Sequence, residues 1–263
     1  MDLYPCNTFE PGGYRFLPSV FQYSAGVAAL PGFRIEQVQF SQAVPLEAAF
    51  AFVERHLKAI GRPTTAFAHC ELRSPRQFDD QGFIDFNRRY VRKLAEWGVY
   101  TAEREGSGAI NPVARTNVVP AHHPPGEISM AAFSYSVPSV GSAGDSFVLA
   151  GGGDARKGPE PYRDRIVAFG DTSPGGLRTK VAFVVAEMTR RLASFGLGWQ
   201  HAGAVRAYSV HAITDAVIAE LAIPGRIACG LTWHVAHPPV QGLAYEMDVR
   251  GQVDVIVRDG AGQ

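Results

Sequence analysis

The chain has 263 residues, of which 46% are hydrophobic and 19% charged, a composition typical of globular proteins rather than disordered ones. Its 25 basic and 25 acidic residues balance, so there is no electrostatic signature of nucleic-acid binding. The three cysteines (Cys6, Cys70 and Cys229) form no CxxC pair, which suits a reducing compartment. The sequence shows neither a signal-peptide pattern nor a run of ~20 apolar residues that could span a bilayer. We therefore expect a cytoplasmic protein without nucleic-acid or membrane partners.

The spacing of apolar residues divides the first half of the chain into strands and helices. A run that alternates between apolar and polar residues predicts a strand, and apolar residues three and four apart predict a helix. The expected elements are a strand at 33–40, a helix from Pro45 to Gly61, a strand at 66–72, a helix at 83–97 and a glycine-rich loop at 103–111.

The stretch from Asn111 to Phe133 contains two apolar runs separated by the turn His122-His123-Pro124-Pro125. Two such runs around a proline-rich turn predict an antiparallel pair of strands. That pair would bring the guanidinium of Arg115 and the carboxylate of Glu127 to one pocket mouth. An arginine fork holds a carboxylate through two parallel hydrogen bonds, and a glutamate can move a proton or activate water. The alternative is an ion pair that only tethers the hairpin.

The second half repeats this order of elements. The segment Gly151-Gly-Gly-Asp154 lacks the spacing of a phosphate-binding loop and is expected to be a turn. A long helix is expected from about Leu177 to Phe195, and its apolar stripe should be core. The members of this stripe are Val181, Val184, Val185, Met188 and Leu192. The other expected elements are strands at 146–150, 165–169, 203–210, 227–235 and 243–257, and a short helix at 211–221.

Matching residues in the two halves indicate an internal repeat. Gly61 and Gly196, 135 residues apart, each end a helix, and His-Pro-Pro occurs at His123 and again at His237, 114 residues later. The second copy is thus 21 residues shorter between these markers. We expect an α+β fold made of two tandem units, residues 1–138 and 139–263. Each unit should be a mixed or antiparallel sheet with two helices packed on one face.

Five markers in the first half, taken in order, resemble the RidA (YjgF) family of imine and enamine deaminases. They are Phe21-Gln-Tyr-Ser-Ala-Gly-Val27, the helix ending at Gly61, Asn87-Arg-Arg-Tyr90, Val113-Ala-Arg-Thr116, and Pro124-Pro-Gly-Glu-Ile-Ser-Met130. A tandem chain of this size resembles the large 2-aminomuconate-type deaminases of aromatic-compound degradation, and more distantly the chorismate-hydrolysing enzymes. The resemblance implies a barrel-cored trimer with clefts between neighbouring units.

The resemblance also implies roles for individual residues. Arg115 would hold the substrate carboxylate, Glu127 would place or activate the attacking water, and Tyr23 would line the cleft. Asn87 and His123 are further candidates for substrate binding. The alternatives are that Tyr23 only packs, Asn87 only caps or ties a loop, and His123 lies in a solvated turn.

The second copy departs from this pattern. Counting back nine residues from the first proline of His-Pro-Pro reaches Arg115 in the first copy but Cys229 in the second. Glu246 also lies farther beyond its His-Pro-Pro than Glu127 does, so its equivalence is open. We therefore expect unit one to supply the carboxylate clamp and unit two to lend a wall to the cleft. The candidates for that wall are Trp233, His234 and Glu246.

No metal or cofactor is predicted. His234 and His237 are three apart, and on a strand such residues point to opposite faces. Cys70 and Cys229 are expected to be buried structural thiols.

The expected activity is hydrolytic deamination of an unsaturated amino acid that carries a carboxylate. A non-catalytic module that binds small molecules remains an alternative, as does a hydrolase or lyase acting on a cyclohexadiene carboxylate such as chorismate. The expected partners are a small carboxylate-bearing substrate and further copies of the chain, in a trimer or hexamer, because the cleft needs neighbouring units.

Overall fold

The computed structural model describes residues 2–102, 108–140 and 145–260. The strands are β1 (Asn7–Phe9), β2 (Tyr14–Phe16), β3 (Gly26–Ala29), β4 (Phe33–Pro45), β5 (Phe67–Arg73), β6 (Ala114–Pro120), β7 (Ser129–Pro138), β8 (Phe147–Leu149), β9 (Gly152–Gly153), β10 (Ala204–Tyr208), β11 (Thr232–His234), β12 (Ala236–His237), β13 (Glu246–Arg250) and β14 (Asp254–Arg258). The helices are α1 (Leu46–Ala59), α2 (Asp80–Glu96), α3 (Tyr162–Arg165), α4 (Pro174–Ser194) and α5 (Thr214–Val217), which continues as a π-helix (Ile218–Ala222). Short 3-10 helices lie at Glu10–Gly12, Thr64–Ala66 and Trp199–His201. Part of the expected loop at 103–111, residues 103–107, lies outside the described residues.

Within the described residues the strands form two sheets, and each sheet draws strands from both halves of the chain. One has the order β1-β2-β3-β8-β13-β10-β11, with β9 paired to β13. The other has the order β12-β6-β5-β7-β4-β14. The α+β class is therefore confirmed. The boundary expected between residues 138 and 139 falls between β7 and β8, and the division into two units stays a prediction.

The two sheets lie between two layers of helices. The apolar faces of α1 and α2 pack on β4, β5 and β7 in one core, and α4 and α5 pack on β3, β8, β10 and β13 in another. A third, smaller apolar cluster joins β2, β3 and β8 to β4, β5 and β6 across the space between the sheets. The helices thus cover the outer faces and leave the inner faces to contact each other, an arrangement that buries both sheets.

Local sequence accounts for the helices well. The expected stripe of α4, from Val181 to Leu192, is buried, as expected. Asp79 begins α2 by accepting a hydrogen bond from Gly82 N at 2.7 Å, and Ser173 begins α4 in the same way, which satisfies backbone donors that the helix itself leaves free. Gly61 follows α1 with φ of 69°, a conformation that costs glycine little. No helix in the described part of the chain is long and apolar enough to cross a membrane.

The expected hairpin between Asn111 and Phe133 is wrong in its pairing. Its two strands, β6 and β7, are not neighbours, because β5 lies between them, parallel to β6 and antiparallel to β7. Nearly all of β5 is buried, so this strand needs a hydrogen-bonded partner on each edge. The connection at 121–128 therefore passes over the end of β5.

Two further expectations in the second half are corrected. The strand expected at 165–169 is absent from the described residues, where α3 ends and Ala168 takes φ of 47°. Its backbone groups find other partners, because Val167 N donates to Asp154 O and Val167 O accepts from Lys180 Nζ. Cys70 is buried as expected, but Cys229 is exposed, since its segment forms surface turns rather than a strand.

Candidate active site

A cavity of about 540 Å³ lies where the two sheets meet α4, which is a size typical of small-molecule sites. Its walls come from the loop before β3, from α2, β6, β9, α3 and α4, and from the segment leading into β13. The cavity therefore joins residues from both halves of the chain. Arg115, Tyr23 and Glu246 all line it.

Arg115 lies on β6 and is 2% exposed. Its Nη2 donates to Asn87 Oδ1 at 2.6 Å, and its guanidinium carbon lies 4.8 Å from the ring centre of Tyr90 and 5.0 Å from that of Tyr23. Its Nη1 is buried without a hydrogen-bond partner among the described residues. A buried donor without a partner costs free energy, and here a ligand carboxylate in the cavity could supply the missing acceptor.

Glu246 is the first residue of β13, opposite Tyr208 on β10 and Gly153 on β9. Burial and, to a smaller extent, the charge of Asp248 raise the pKa of Glu246, while the charges of Arg115 and Arg191 lower it, and the resulting pKa is about 8. This carboxyl group is therefore mostly protonated at neutral pH. A carboxylic acid in that state can donate a proton to a bound substrate.

The ionised carboxylate of Asp248 is itself held by the fold. It points to the same face of β13 as Glu246, two residues away, and accepts from Tyr208 Oη at 2.8 Å and Thr116 Oγ1 at 3.1 Å. Burial raises the pKa of Asp248, but the charges of Arg250 and Arg206 lower it to below its ordinary value. The negative charge beside Glu246 is therefore permanent at neutral pH.

The glycine-rich segment before β9 allows Glu246 to approach the backbone. A Cβ atom at Gly151 would overlap Glu246 Oε1, so a larger residue there would force the Glu246 carboxyl group to move. The space that Glu246 needs accounts for this glycine without phosphate binding. Asp154 closes the segment through a buried ion pair with Lys180 of α4 at 2.9 Å. Asp154 also accepts from the backbone N–H of Ala244 at 3.1 Å, which fixes the chain just before Glu246.

The wall formed by α4 is cationic. Arg191 is buried, and its Nη1 donates to Ala150 O at 2.9 Å. Glu187 forms ion pairs with both Arg191 and Arg190. Tyr4, which precedes β1, donates a hydrogen bond to the same Glu187 carboxylate. The cavity as a whole carries more positive than negative groups, which favours an anionic ligand.

The structure brings together some of the expected site residues but not others. Asn87 lies behind Arg115 and reaches the cavity only through it. Glu127 and His123 are exposed in the connection between β6 and β7, outside the cavity lining. Trp233 is 39% exposed, and its Nε1 donates to Ser209 O.

The second wall candidate on β11, His234, also lies outside the cavity lining. Its ring stacks on Tyr208 with centres 5.0 Å apart, and burial lowers its pKa. Within the described ranges, no group of three His, Cys, Asp or Glu side chains could hold a metal ion.

Other cavity residues carry no signal that sequence reasoning detected. Arg191 lies beside the apolar stripe of α4, where a charged side chain is expected to face solvent. Arg165 lies in a segment expected to be a strand. Gly151 belongs to a run of three glycines that is visible in the sequence. That run lacks the spacing of a phosphate-binding loop, and nothing in it indicates contact with Glu246.

Comparison with known proteins identifies the family of the chain. The sequence matches the family described as 2-aminomuconate deaminase CnbZ over residues 6–255. A 2-amino-5-chloromuconate deaminase of Comamonas testosteroni is 59% identical over 246 residues, which cover 93% of this chain and 96% of that protein.

Among solved structures, a chorismatase superposes with a TM-score of 0.51 at 12% identity, covering 96% of this chain and 80% of that one. At such low identity the likeness concerns the fold alone. The family match and the 59% identity extend over almost the whole chain. The chain therefore belongs to the CnbZ family of 2-aminomuconate deaminases.

Proposed function

We propose that this chain is a hydrolytic deaminase that releases ammonia from an enamine carboxylate of the 2-aminomuconate type during the degradation of aromatic compounds. One observation carries the proposal: a buried guanidinium with an unused nitrogen, Arg115, shares a cavity with a carboxyl group that is protonated at neutral pH, Glu246. Family membership supports the substrate class.

The chemistry begins with binding and proton transfer. Arg115 Nη1 holds the carboxylate next to the amino-bearing carbon, which reduces the entropic cost of orienting the substrate. Glu246 then donates its proton to the far carbon of the enamine double bond. The nitrogen lone pair forms a C=N bond as the C=C bond breaks, and the products of this step are an iminium ion and a Glu246 carboxylate.

The same carboxylate completes the hydrolysis. It takes a proton from water while the water oxygen bonds to the iminium carbon, which gives a carbinolamine. Glu246 then passes this proton to nitrogen and accepts the hydroxyl proton, so that the C=O bond forms and the C–N bond breaks. Ammonia leaves, the product is a 2-oxo acid, and Glu246 is protonated again for the next cycle.

In this scheme Asn87 positions Arg115, and Tyr23 packs against its guanidinium. Glu246 carries the acid–base role that the RidA resemblance assigns to Glu127. Glu127, His123 and Trp233 are exposed and do not line this cavity within one chain, so the scheme assigns them no role there.

We also infer that the halves 1–138 and 139–263 are tandem RidA-like units and that the protein assembles as a trimer or hexamer. The helices on the outer face of each sheet support the repeat. Light scattering across a range of concentrations tests the assembly, and a monomer at every concentration would contradict it.

The deaminase proposal is tested by following ammonia release from 2-aminomuconate. Glu246→Gln keeps the side-chain shape but removes the acid, and we expect kcat/KM to fall at least about a hundredfold. Arg115→Gln should lower kcat/KM by about tenfold or more through weaker substrate binding. For the unaltered enzyme, the rate should fall as pH rises through about 8, where Glu246 loses its proton.

The exposed Arg89→Gln serves as the control for loss of one arginine, and circular dichroism of each variant verifies folding. Ammonia release that survives Glu246→Gln and Arg115→Gln unchanged would overturn the assignment. Tight binding of the substrate without any turnover by the unaltered chain would instead favour a binding module.

A further inference from the structure

An aminomuconate has a carboxylate at each end of a six-carbon conjugated chain, and Arg115 can hold only one of them. The second carboxylate needs its own partner, because an ionised group that enters a cavity without one loses hydration and gains nothing in return. The cations that line the cavity are therefore candidates for binding the second carboxylate. They differ in whether they already form ion pairs within the protein.

Two of these cations are already paired. Arg190 Nη2 and Arg191 Nε both form ion pairs with Glu187. By contrast, Arg115 and Arg165 form no ion pair among the residues that the structure describes. Arg156 is exposed at the edge of the cavity, where a charge is screened by water. The ammonium of Lys157 packs 4.0 Å from the ring centre of Tyr4, and burial lowers its pKa to about 8, so its charge is less permanent than that of an arginine.

Arg165 is held in place by neutral groups. Its Nε donates to Glu160 O at 2.7 Å and its Nη1 to Arg156 O at 3.0 Å. Its guanidinium carbon lies 4.1 Å from the ring centre of Tyr162. Backbone carbonyls and an aromatic ring orient the group without cancelling its charge, so little side-chain entropy is lost when a carboxylate binds.

An aromatic wall connects Arg165 to Arg115. The ring of Tyr162 is edge-on to Phe83 with centres 6.0 Å apart, and the Arg115 guanidinium carbon lies 5.9 Å from the centre of Phe83. All four side chains line the cavity. An apolar wall with a cation at each end complements a flat diene with a carboxylate at each end.

We propose that Arg165 binds the distal carboxylate of the substrate and makes the enzyme selective for dicarboxylates. This inference rests on the proposed function, from which the substrate class is taken. Arg115 and Arg165 then fix the two ends of the chain, while Glu246 acts near the Arg115 end.

Binding of two unreactive acids separates this role from catalysis. Muconate and sorbate share a six-carbon diene, but a methyl group replaces the second carboxylate in sorbate. Calorimetry with the unaltered protein should show tighter binding of muconate. Arg165→Gln should weaken muconate binding by about tenfold or more and leave sorbate binding nearly unchanged.

Arg163→Gln is the matched control. Arg163 lies on the same short helix, and its guanidinium also packs on an aromatic ring, 5.3 Å from the centre of Phe169, but it does not line the cavity. This variant removes the same charge from the same neighbourhood. It should bind both acids like the unaltered protein.

Three results would overturn the inference: equal affinity of the unaltered protein for muconate and sorbate, no detectable muconate binding, or equal losses in Arg165→Gln and Arg163→Gln. Failure of the proposed function looks different. In that case muconate would still depend on Arg165, but 2-aminomuconate would release no ammonia.

A turnover measurement adds a second readout. With 2-aminomuconate, Arg165→Gln should raise KM more than it lowers kcat. With 2-aminoacrylate, an enamine that has a single carboxylate, the same substitution should change neither constant.

Discussion

At the scale of single residues, the site depends on which charges are compensated and which are not. Arg115 donates to an amide oxygen of Asn87 rather than to a carboxylate, so its positive charge stays available to a ligand. Glu246 lies near two guanidinium groups, yet burial and the neighbouring Asp248 outweigh them and keep it protonated at neutral pH. Of the two groups that the proposed reaction needs, the guanidinium of Arg115 is thus charged and the carboxyl group of Glu246 is neutral.

The raised pKa of Glu246 predicts a pH-dependent cost to stability. The folded state holds this proton up to about pH 8, whereas the unfolded chain releases it near 4.5. The folded state therefore binds more protons between these values, and the free energy of unfolding falls as pH rises through them. We expect Glu246→Gln to raise the free energy of unfolding by on the order of a few kcal/mol above pH 8 and to change it little below 4.5.

Urea unfolding across that pH range measures the effect. Glu47→Gln, at an exposed position, provides the control and should show no such trend. A stabilisation by Glu246→Gln that is the same at every pH would contradict the prediction.

At the scale of elements, the segment before β9 is tied to α4 by one buried ion pair. Lys180 and Asp154 are 1% and 0% exposed. Lys180→Met would leave Asp154 charged and unpaired in the interior, and we expect it to lower the free energy of unfolding by about 3–5 kcal/mol. Because Asp154 also positions the chain before Glu246, activity should fall as well.

Chemical denaturation of this variant is compared with that of Lys93→Met, which breaks two partly exposed ion pairs, to Glu54 and Glu96, and should cost about 1 kcal/mol or less. The double variant Asp154→Asn/Lys180→Met removes both charges and should recover part of the loss. Equal stability of the single and double variants would show that the unpaired charge is not the cause.

Sequence reasoning located the helices better than it located the strand order, for a physical reason. The apolar stripe of α4 repeats within one helix, so its burial can be predicted from local spacing. Strand pairing depends on segments far apart in the chain. Nothing near Asn111–Phe133 indicates that β5 comes between β6 and β7.

The same distinction applies to the site. Arg115 and Tyr23 were found because they occur in motifs, and Glu246 was found as a wall residue from the repeat. The raised pKa of Glu246 could not be predicted, because it depends on burial between two sheets and on the nearby charge of Asp248. Arg165 and Arg191 could not be found, since only the fold turns them towards the cavity.

At the scale of the whole molecule, a buried ionic cluster joins the two sheets. Glu71 of β5 is 2.8 Å from Arg206 of β10 and 2.8 Å from Arg250 of β13, and it also contacts Arg73. Burial raises the pKa of Glu71, but the charges of these arginines, with Arg250 the strongest, bring it well below its ordinary value.

The depressed pKa predicts stability that is lost in acid. The contribution of Glu71 is complete above its unfolded pKa near 4.5 and disappears as pH falls through the lower folded value. At neutral pH we expect Glu71→Gln to lower the free energy of unfolding by about 3 kcal/mol or more, because it leaves buried arginines uncompensated.

Unfolding by urea at neutral pH and in acid measures this difference, with the exposed Glu47→Gln again as the control. A loss that stays constant as the pH falls below the folded pKa of Glu71 would contradict the assignment of this cluster.

The exchange of strands between the two halves has a consequence for how the protein forms. β14, near the C-terminus, pairs in parallel with β4, and β3, near the N-terminus, pairs with β8 of the second half. Pairings between such distant segments form slowly, because closing long loops costs entropy before any contact repays it. During synthesis, neither sheet can be completed until almost the entire chain has left the ribosome. Arg115 and Glu246 come from different sheets, so the cavity cannot form before both sheets do, and a chain that stops before β13 would lack one side of the proposed site.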